Sequence, residues 1–483
     1  MQTSAPARPP LPAARCFVGA IFGGLACLAA GCIGPTYHRP DIPPPKAWQE
    51  STTPETPAAA KVPDAGPVWP AADWWHGFGS PQLDELIEAA QHGNDDLAAA
   101  IARVEEADAQ VRIAGAPLLP SLDLGATAAR ERAQVTGEGP KVFNAFSPEL
   151  SASYELDFWG KNRALRNAAR AAAEASRFDR ETVALTLVSS VATTYLQALE
   201  LRDRIRVAQE NLANGRKILD GFRLELEAGT ATGLDVAQQE TTVALLNAAV
   251  PPLEQQLRQT VHALAVLIGQ TPESVDVDAG TLDKLSSPAV LEGLPSELLA
   301  RRPDIAEAEQ QLIAANADIT VARAALFPSI QLTASGGYAS SQLVSLVSPP
   351  DRVYDIAASL AQPIFHGGAL RGQVTYSNAR YRELLADYHK AVISAFGNVE
   401  DALAGTRQTA EQAKRQEDAV DTARRAYEFA QTQMAAGTVN ILTVLNTENA
   451  LFSAQDQLVQ VHYSRLQALV NLYTALGGGW HQG

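Results

Sequence analysis

Cysteine is nearly missing from the 483 residues: only Cys16, Cys27 and Cys32 are present. The first two lie in an N-terminal stretch read below as removable, so one thiol stays behind. No disulfide within a single chain is then possible. Aromatic residues are sparse at 6%, while alanine and leucine supply much of the 46% apolar content. That balance suits long packed helices better than one large globular core. Positive charge is short as well, and the net charge of −16 leaves no basic patch to neutralise phosphates. Nucleic acid is excluded as a partner on that ground. The 8 histidines are scattered, with no His-Glu-x-x-His and no metal-ligand spacing. Thr230-Ala231-Thr232-Gly233 follows a glycine but lacks the lysine of a phosphate loop, so it reads as a helical turn. Neither a nucleotide-hydrolysis motif nor a membrane-spanning helix is found. The chain is therefore read as a non-enzyme without a cofactor or metal, and energy for any transport must come from a partner.

What the chain does contain begins with residues 1–31, which read as an export signal. Arg8 and Arg15 precede an apolar stretch from Phe17 to Ala30, and Ala29-Ala30-Gly31 supplies small residues for cleavage. Leu28-Ala29-Ala30-Gly31-Cys32 resembles a bacterial lipobox, with Ala29 where leucine is usual. Cys32 is thereby the expected lipid attachment site, and Ile33, in place of aspartate, resembles lipoproteins sorted to the outer membrane. Residues 32–80 form the lipidated N-terminus and a proline-rich segment. Ten prolines between Pro35 and Pro70 forbid a helix or a central strand there. A free tether and a strap lying on the body both satisfy that composition.

Two proline-free stretches, Asn162 to Glu227 and Ala369 to Ala435, organise the rest. At 1.5 Å per residue each would run roughly 100 Å as a helix. Leu201, Ile205, Ala208, Leu212, Gly215, Leu219, Phe222 and Leu226 follow alternating steps of four and three, a heptad seam. Leu185, Val188, Ala192, Tyr195 and Leu199 form an earlier seam in a shifted phase, which lets one helix face more than one neighbour. Such a rod has no interior for a substrate pocket.

The chain is also written twice. Gly229-Thr230 recurs as Gly437-Thr438, 208 positions on (437 less 229). At the same offset Gly269 recurs as Gly477, Leu119-Pro120-Ser121 as Phe327-Pro328-Ser329, and Leu97 as Ile305. The expected boundaries are a first repeat at 81–270, a linker at 271–302, a second repeat at 303–477 and a tail at 478–483. Each repeat reads helix, strand, strand, very long helix, tight turn, helix. In the strands Leu122, Leu124, Ala126 and Ala128 alternate with Ser121, Asp123, Gly125 and Thr127. Likewise Leu150, Ala152, Tyr154, Leu156 and Phe158 alternate with Glu149, Ser151, Ser153, Glu155 and Asp157. Ile330, Leu332 and Ala334, then Tyr354, Ile356, Ala358 and Leu360, repeat the pattern. One such run fits a half-buried strand of a soluble sheet. Four of them, as two pairs in an exported chain, fit a membrane β-barrel. Four strands cannot close a barrel, because about eight are needed, and an open edge in lipid is excluded. The barrel must be shared, either by two chains with eight strands or by three with twelve. Only the larger leaves a pore.

These residues resemble the outer-membrane factors of Gram-negative tripartite efflux systems, the TolC-like or NodT-like family, in its lipoprotein branch. The similarity runs through Gly31-Cys32-Ile33-Gly34-Pro35-Thr36-Tyr37-His38-Arg39-Pro40, Trp74-Trp75-His76-Gly77-Phe78 and Leu83-Asp84-Glu85-Leu86-Ile87. It continues with Tyr154-Glu155-Leu156-Asp157-Phe158-Trp159-Gly160, Arg301-Arg302-Pro303-Asp304-Ile305 and Gln362-Pro363-Ile364-Phe365-His366-Gly367-Gly368. The resemblance implies an α+β membrane protein: a homotrimer with a 12-stranded barrel in the outer membrane over a coiled-coil helical barrel in the periplasm. The choice of three copies comes from the family. Val250-Pro251-Pro252-Leu253, odd inside a helix, is similar to a pattern of this branch and implies a kink rather than a break.

The function expected is a passive duct served by a periplasmic adaptor and an inner-membrane pump of the RND type. The turns and gate are placed at Gly229, Thr230, Leu234 and Asp235, and at Gly437, Thr438 and Leu442. At the second turn Val439, Asn440, Thr443 and Asn446 are uncharged where relatives often carry charge, so an acidic ring is expected from Asp235 alone. Asp123, Glu149, Glu155, Asp157 and Asp355 are expected to face the lumen and favour cations. The alternatives are the duct of a type I protein-secretion system and a non-pore periplasmic scaffold held by its lipid. The exported compound is not readable, since a wide duct carries little substrate recognition.

Overall fold

The protein was described from a computed structural model covering residues 33–50, 71–135, 139–277, 280–288 and 295–480. The export signal, Cys32 and the prolines from Pro54 to Pro70 lie outside the described residues. The long helices are α1 (Pro81–Gly93), α2 (Asp95–Gly115), α3 (Lys161–Glu227), α4 (Gly233–Leu267), α5 (Pro303–Ala324), α6 (Ala369–Ala435) and α7 (Ile441–Ala475). The strands are β1 (Ser121–Val135), β2 (Gly139–Glu155), β3 (Ser329–Tyr338) and β4 (Arg352–Ala361). The duplication is metrical: α3 and α6 each span 67 residues, and α4 and α7 each span 35. Helix α4 runs unbroken through Pro251 and Pro252.

The chain divides into two compact units. The first comprises residues 33–38, 110–170 and 313–382, and the second residues 39–109, 171–312 and 383–480.

In the first unit the four strands form one antiparallel sheet in the order β1-β2-β3-β4. Register decides what shares a face, because residues directly opposite one another project to the same side. Asp123 lies opposite Ser151, Ser151 opposite Ser335, and Ser335 opposite Asp355, one polar row across the whole sheet. One residue along, Leu122, Ala152, Ala334 and Ile356 form an apolar row. Leu124, Leu150, Gly336 and Tyr354 form the next apolar row. In water this apolar face has no cover: Leu124 is 81% exposed and Ile356 is 78% exposed. A contiguous apolar face of this kind needs lipid or protein against it.

The first hairpin is longer than its sequence pattern suggests. β1 and β2 have 15 and 17 residues, against 10 each in β3 and β4. A tilted membrane strand needs about 9–11. The surplus carries Arg130, Glu131, Arg132 and Lys141, with Arg130 and Arg132 on the apolar parity, so the far end of this hairpin suits water. β2 stops at Glu155, which leaves Leu156 and Phe158 outside the strand expected to hold them. The chain turns there because the Phe158 N–H donates to the Leu156 carbonyl at 2.8 Å. Trp159 then donates from Nε1 to the Pro328 carbonyl at 2.7 Å and stacks on Phe327, ring centres 4.8 Å apart.

The second unit is helical. Leu187, Val188, Val191, Ala192 and Leu196 of α3 pack with Phe78, Leu83 and Ile87, and Trp74 stacks on Tyr473 at 4.8 Å. This explains one departure from the sequence reading. Among the described residues a stretch of α3 is long and apolar enough to cross a membrane, yet those five α3 side chains are spent on the core. The proline-rich segment is a strap over residues 33–50. In the first unit the Pro35 carbonyl accepts from Asn316 Nδ2 at 3.0 Å. In the second, Trp48 is buried with Tyr388 and Val392. The backbone N–H groups of Gln49 and Glu50 donate to the Glu400 carboxylate at 2.9 and 3.1 Å.

Candidate functional site: the helical turns and the strand faces

Each long helix ends in the same device. Gly229 and Gly437 adopt φ of 76° and 71°, the left-handed region, and nothing lies within 4 Å of a Cβ built on either. Their need for glycine is conformational only. Gly229 N donates to Leu226 O at 3.0 Å, and Thr230 N to Glu225 O at 2.8 Å. The Thr230 hydroxyl reaches the same Glu225 carbonyl at 3.0 Å. In the second repeat Gly437 N donates to Met434 O, and Thr438 N to Gln433 O, both at 2.9 Å. The Thr438 hydroxyl repeats the contact of Thr230 at 3.0 Å. Helix carbonyls left open at each turn, Glu225 and Leu226 in the first and Gln433 and Met434 in the second, are thus satisfied from within the turn.

The starts of the following helices differ in charge but not in plan. At α4 the Thr232 hydroxyl accepts from Asp235 N at 3.3 Å, and the Asp235 carboxylate accepts from Thr232 N at 2.7 Å, a reciprocal capping box. Hydrogen bonds from the Thr232 side chain and backbone hold the Asp235 carboxyl below the usual carboxylate range. At α7 the Asn440 side chain accepts from both Thr443 N and the Thr443 hydroxyl at 3.2 Å. Thr443 stands where Asp235 stands in the first repeat, so the second turn keeps the cap and loses the charge. Beside the caps, Leu234 and Leu442 point outward, 65% and 48% exposed. Val236 and Val444 on the same turns are buried.

The expected acids do not form one set. Asp123 and Asp355 share the polar row of the sheet, and Glu149, opposite Gly125 and Gly337, lies on the same face. Glu155 closes β2 and pairs with Lys161 at 3.2 Å. Asp157 is not a strand residue and does not belong to that polar face. Its carboxylate accepts from the backbone N–H groups of Asn162 and Arg163, both at 2.9 Å, and from Arg163 Nε at 3.0 Å. It caps the positive start of α3, and its side chain is only 8% exposed. An acid a few residues ahead of a proline-free helix was the available signal, and the alternating pattern that ran past the true strand end concealed it.

The sequence reading also missed Glu448, which is fully buried in α7. Ile441, Leu445, Glu448, Phe452 and Gln455 step by four, three, four and three, so a carboxylate occupies a core position of a heptad seam. That spacing was visible in the chain.

The outer membrane efflux protein family matches this chain twice, over residues 86–270 and 294–478. The pyoverdine export outer membrane protein OpmQ of Pseudomonas putida is 42% identical over 458 residues, covering 93% of this chain and 95% of that protein. The probable outer membrane lipoprotein SilC of Salmonella typhimurium is 31% identical over 458 residues, covering 94% of this chain and 97% of SilC. Among solved structures, the outer-membrane channel OprN superposes with a TM-score of 0.86 at 27% identity, covering 93% of this chain and all of that one.

Proposed function

The chain belongs to the outer membrane efflux protein family, and from that premise we propose how its copies assemble and what each part does. It is an outer-membrane channel component of a tripartite efflux system, and the fold is that of the family's duplicated helix-and-strand channels. The observation that carries the proposal is the sheet. β1 and β4 are its two free edges and run antiparallel to each other, so β1 of one copy can pair with β4 of the next. Unpaired backbone groups in lipid cost several kcal/mol each, which drives closure. Two copies give an eight-stranded barrel filled by its own side chains, whereas three give a twelve-stranded pore. The apolar rows face lipid and the row of Asp123, Ser151, Ser335 and Asp355 faces the lumen. Cys32 carries lipid and adds membrane affinity without making the pore.

Native mass spectrometry in mild detergent tests both statements at once. The expected species is three chains, each beginning at an acylated Cys32. A monomer or dimer overturns the closure argument, while three chains with free Cys32 remove only the anchor.

The adaptor docks at the six turns of the trimer, where Leu234 and Leu442 offer apolar side chains, and an RND-type pump supplies the energy. The duct itself performs no chemistry. Pyoverdine export by the OpmQ relative makes pyoverdine the first cargo to assay. At the first turn, three copies of Asp235 also hold the mouth shut. This latch separates from the capping role by measurement. Asp235→Ala should raise single-channel conductance and make cells leakier to large antibiotics. Conductance at the wild-type level with an earlier melt would leave only the cap. The cap has its own pH signature: a lowered carboxyl contributes stability above its ordinary pKa, and loses it as pH falls through the lowered folded value.

A further inference from the structure

Glu448 lies in the second unit eight residues past the Asn440 cap, on the buried seam of α7. Its relative exposure is 0%, and neither carboxylate oxygen has a hydrogen-bond partner. Val444 and Leu451 flank it on its own helix, in a cluster that also contains Tyr427 of α6 and Ile218 of α3. Tyr427 is the titratable group that feels its charge, and the Tyr427 hydroxyl accepts from Gln431 Nε2 at 2.7 Å. Ile218, from α3, offers no charge.

The first repeat shows what is missing. Residues 208 positions earlier are Arg223 for Gln431 and Glu240 for Glu448. There the pair is complete, with Arg223 and Glu240 2.9 Å apart. The second repeat keeps the acid, buries it, and replaces the cation by an amide turned toward Tyr427. A buried ionised carboxylate without a partner is costly, and the usual escape is to hold its proton. Burial pushes the Glu448 carboxyl up to about 7, and Tyr427 up to about 12 with Glu448's charge contributing.

We propose that Glu448 is a proton-dependent packing residue: protonated, it seats the α6–α7 hairpin next to the second turn, and on ionisation it loosens that hairpin. The second repeat's turn region is thereby sensitive to pH between about 5 and 7. The proposal rests on the fold of one chain and goes beyond the duct reading, so either can fail alone.

The sign follows from linkage. In an opened hairpin the carboxyl titrates at its ordinary value of 4.5, and in the packed one near 7. Between these values only the packed form keeps the proton, so packing is strongest below the lower value, weakens as pH rises, and levels off above the higher.

Hydrogen–deuterium exchange of peptides covering 441–452 in the full-length protein, corrected for intrinsic rate, measures this. From pH 5 to 7 the wild-type opening constant should rise roughly fortyfold. Glu448→Gln, which keeps the shape and removes the titration, should show a flat profile. Gln431→Arg, which restores the first repeat's cation, should flatten it too. Parallel pH profiles for wild type and Glu448→Gln overturn the proposal, whatever Gln431→Arg does.

Discussion

Leu124→Arg should keep the protein out of the outer membrane, while Asp123→Arg, one residue earlier, should insert normally and shift the channel's ionic preference toward anions. The two positions are neighbours in sequence and opposites in the sheet. Leu124 belongs to the row of Leu150, Gly336 and Tyr354, and Asp123 to the row of Ser151, Ser335 and Asp355. A cation on the lipid face near the bilayer middle costs about 2–4 kcal/mol in each chain. Every copy carries the cost at once, so in the proposed trimer the costs add. On the polar face the same side chain stays in water and acts only on the field along the pore. Membrane fractionation reads the first variant, and reversal potential in a planar bilayer reads the second. If both insert equally well, the assignment of faces fails.

Gly269→Ala should destabilise the fold far more than Gly229→Ala, although both glycines close a helix with the same hydrogen bonds. Gly269 has φ of 67° and Gly229 of 76°. Each alanine therefore meets a left-handed penalty on the order of 1–2 kcal/mol. The surroundings separate them. A Cβ on Gly269 would lie 1.9 Å from the Gly93 carbonyl oxygen, where the end of α1 presses on the end of α4, and backbone cannot swing aside. Overpacking adds roughly 1–3 kcal/mol. The second repeat has the same contact, since a Cβ on Gly477 would lie 2.0 Å from the Arg301 carbonyl oxygen. Gly477→Ala should match Gly269→Ala, and Gly229→Ala should match Gly437→Ala. Thermal unfolding followed by circular dichroism gives the ranking. Equal losses at Gly229 and Gly269 would show that the close approach does not matter.

Much of this protein was legible in one dimension because its forces are periodic. Alternation in Leu122 to Thr127 marked a two-faced strand, and the heptad steps from Leu201 to Phe222 marked a helix packed along its length. The constant offset from Gly229 to Gly437 marked the duplication. Four amphipathic strands cannot close alone, so the case for other copies starts from the chain itself. What the pattern could not supply was any contact between residues far apart in sequence. Whether residues 33–50 of the proline-rich segment are tether or strap depended on Glu400 meeting the backbone of Gln49 and Glu50. Asp157 continued the alternation perfectly, yet the backbone N–H groups of Asn162 and Arg163 claimed it for the start of α3. Glu448 stood in plain view on its seam, but its lack of a partner is a property of the space around it. Periodicity by itself determined the elements, their faces and their repetition, because each of those is set within a few residues. Partners and burial were decided only by the tertiary structure, because how far a charge is stripped of water, and what replaces that water, is set only when its neighbours are in place.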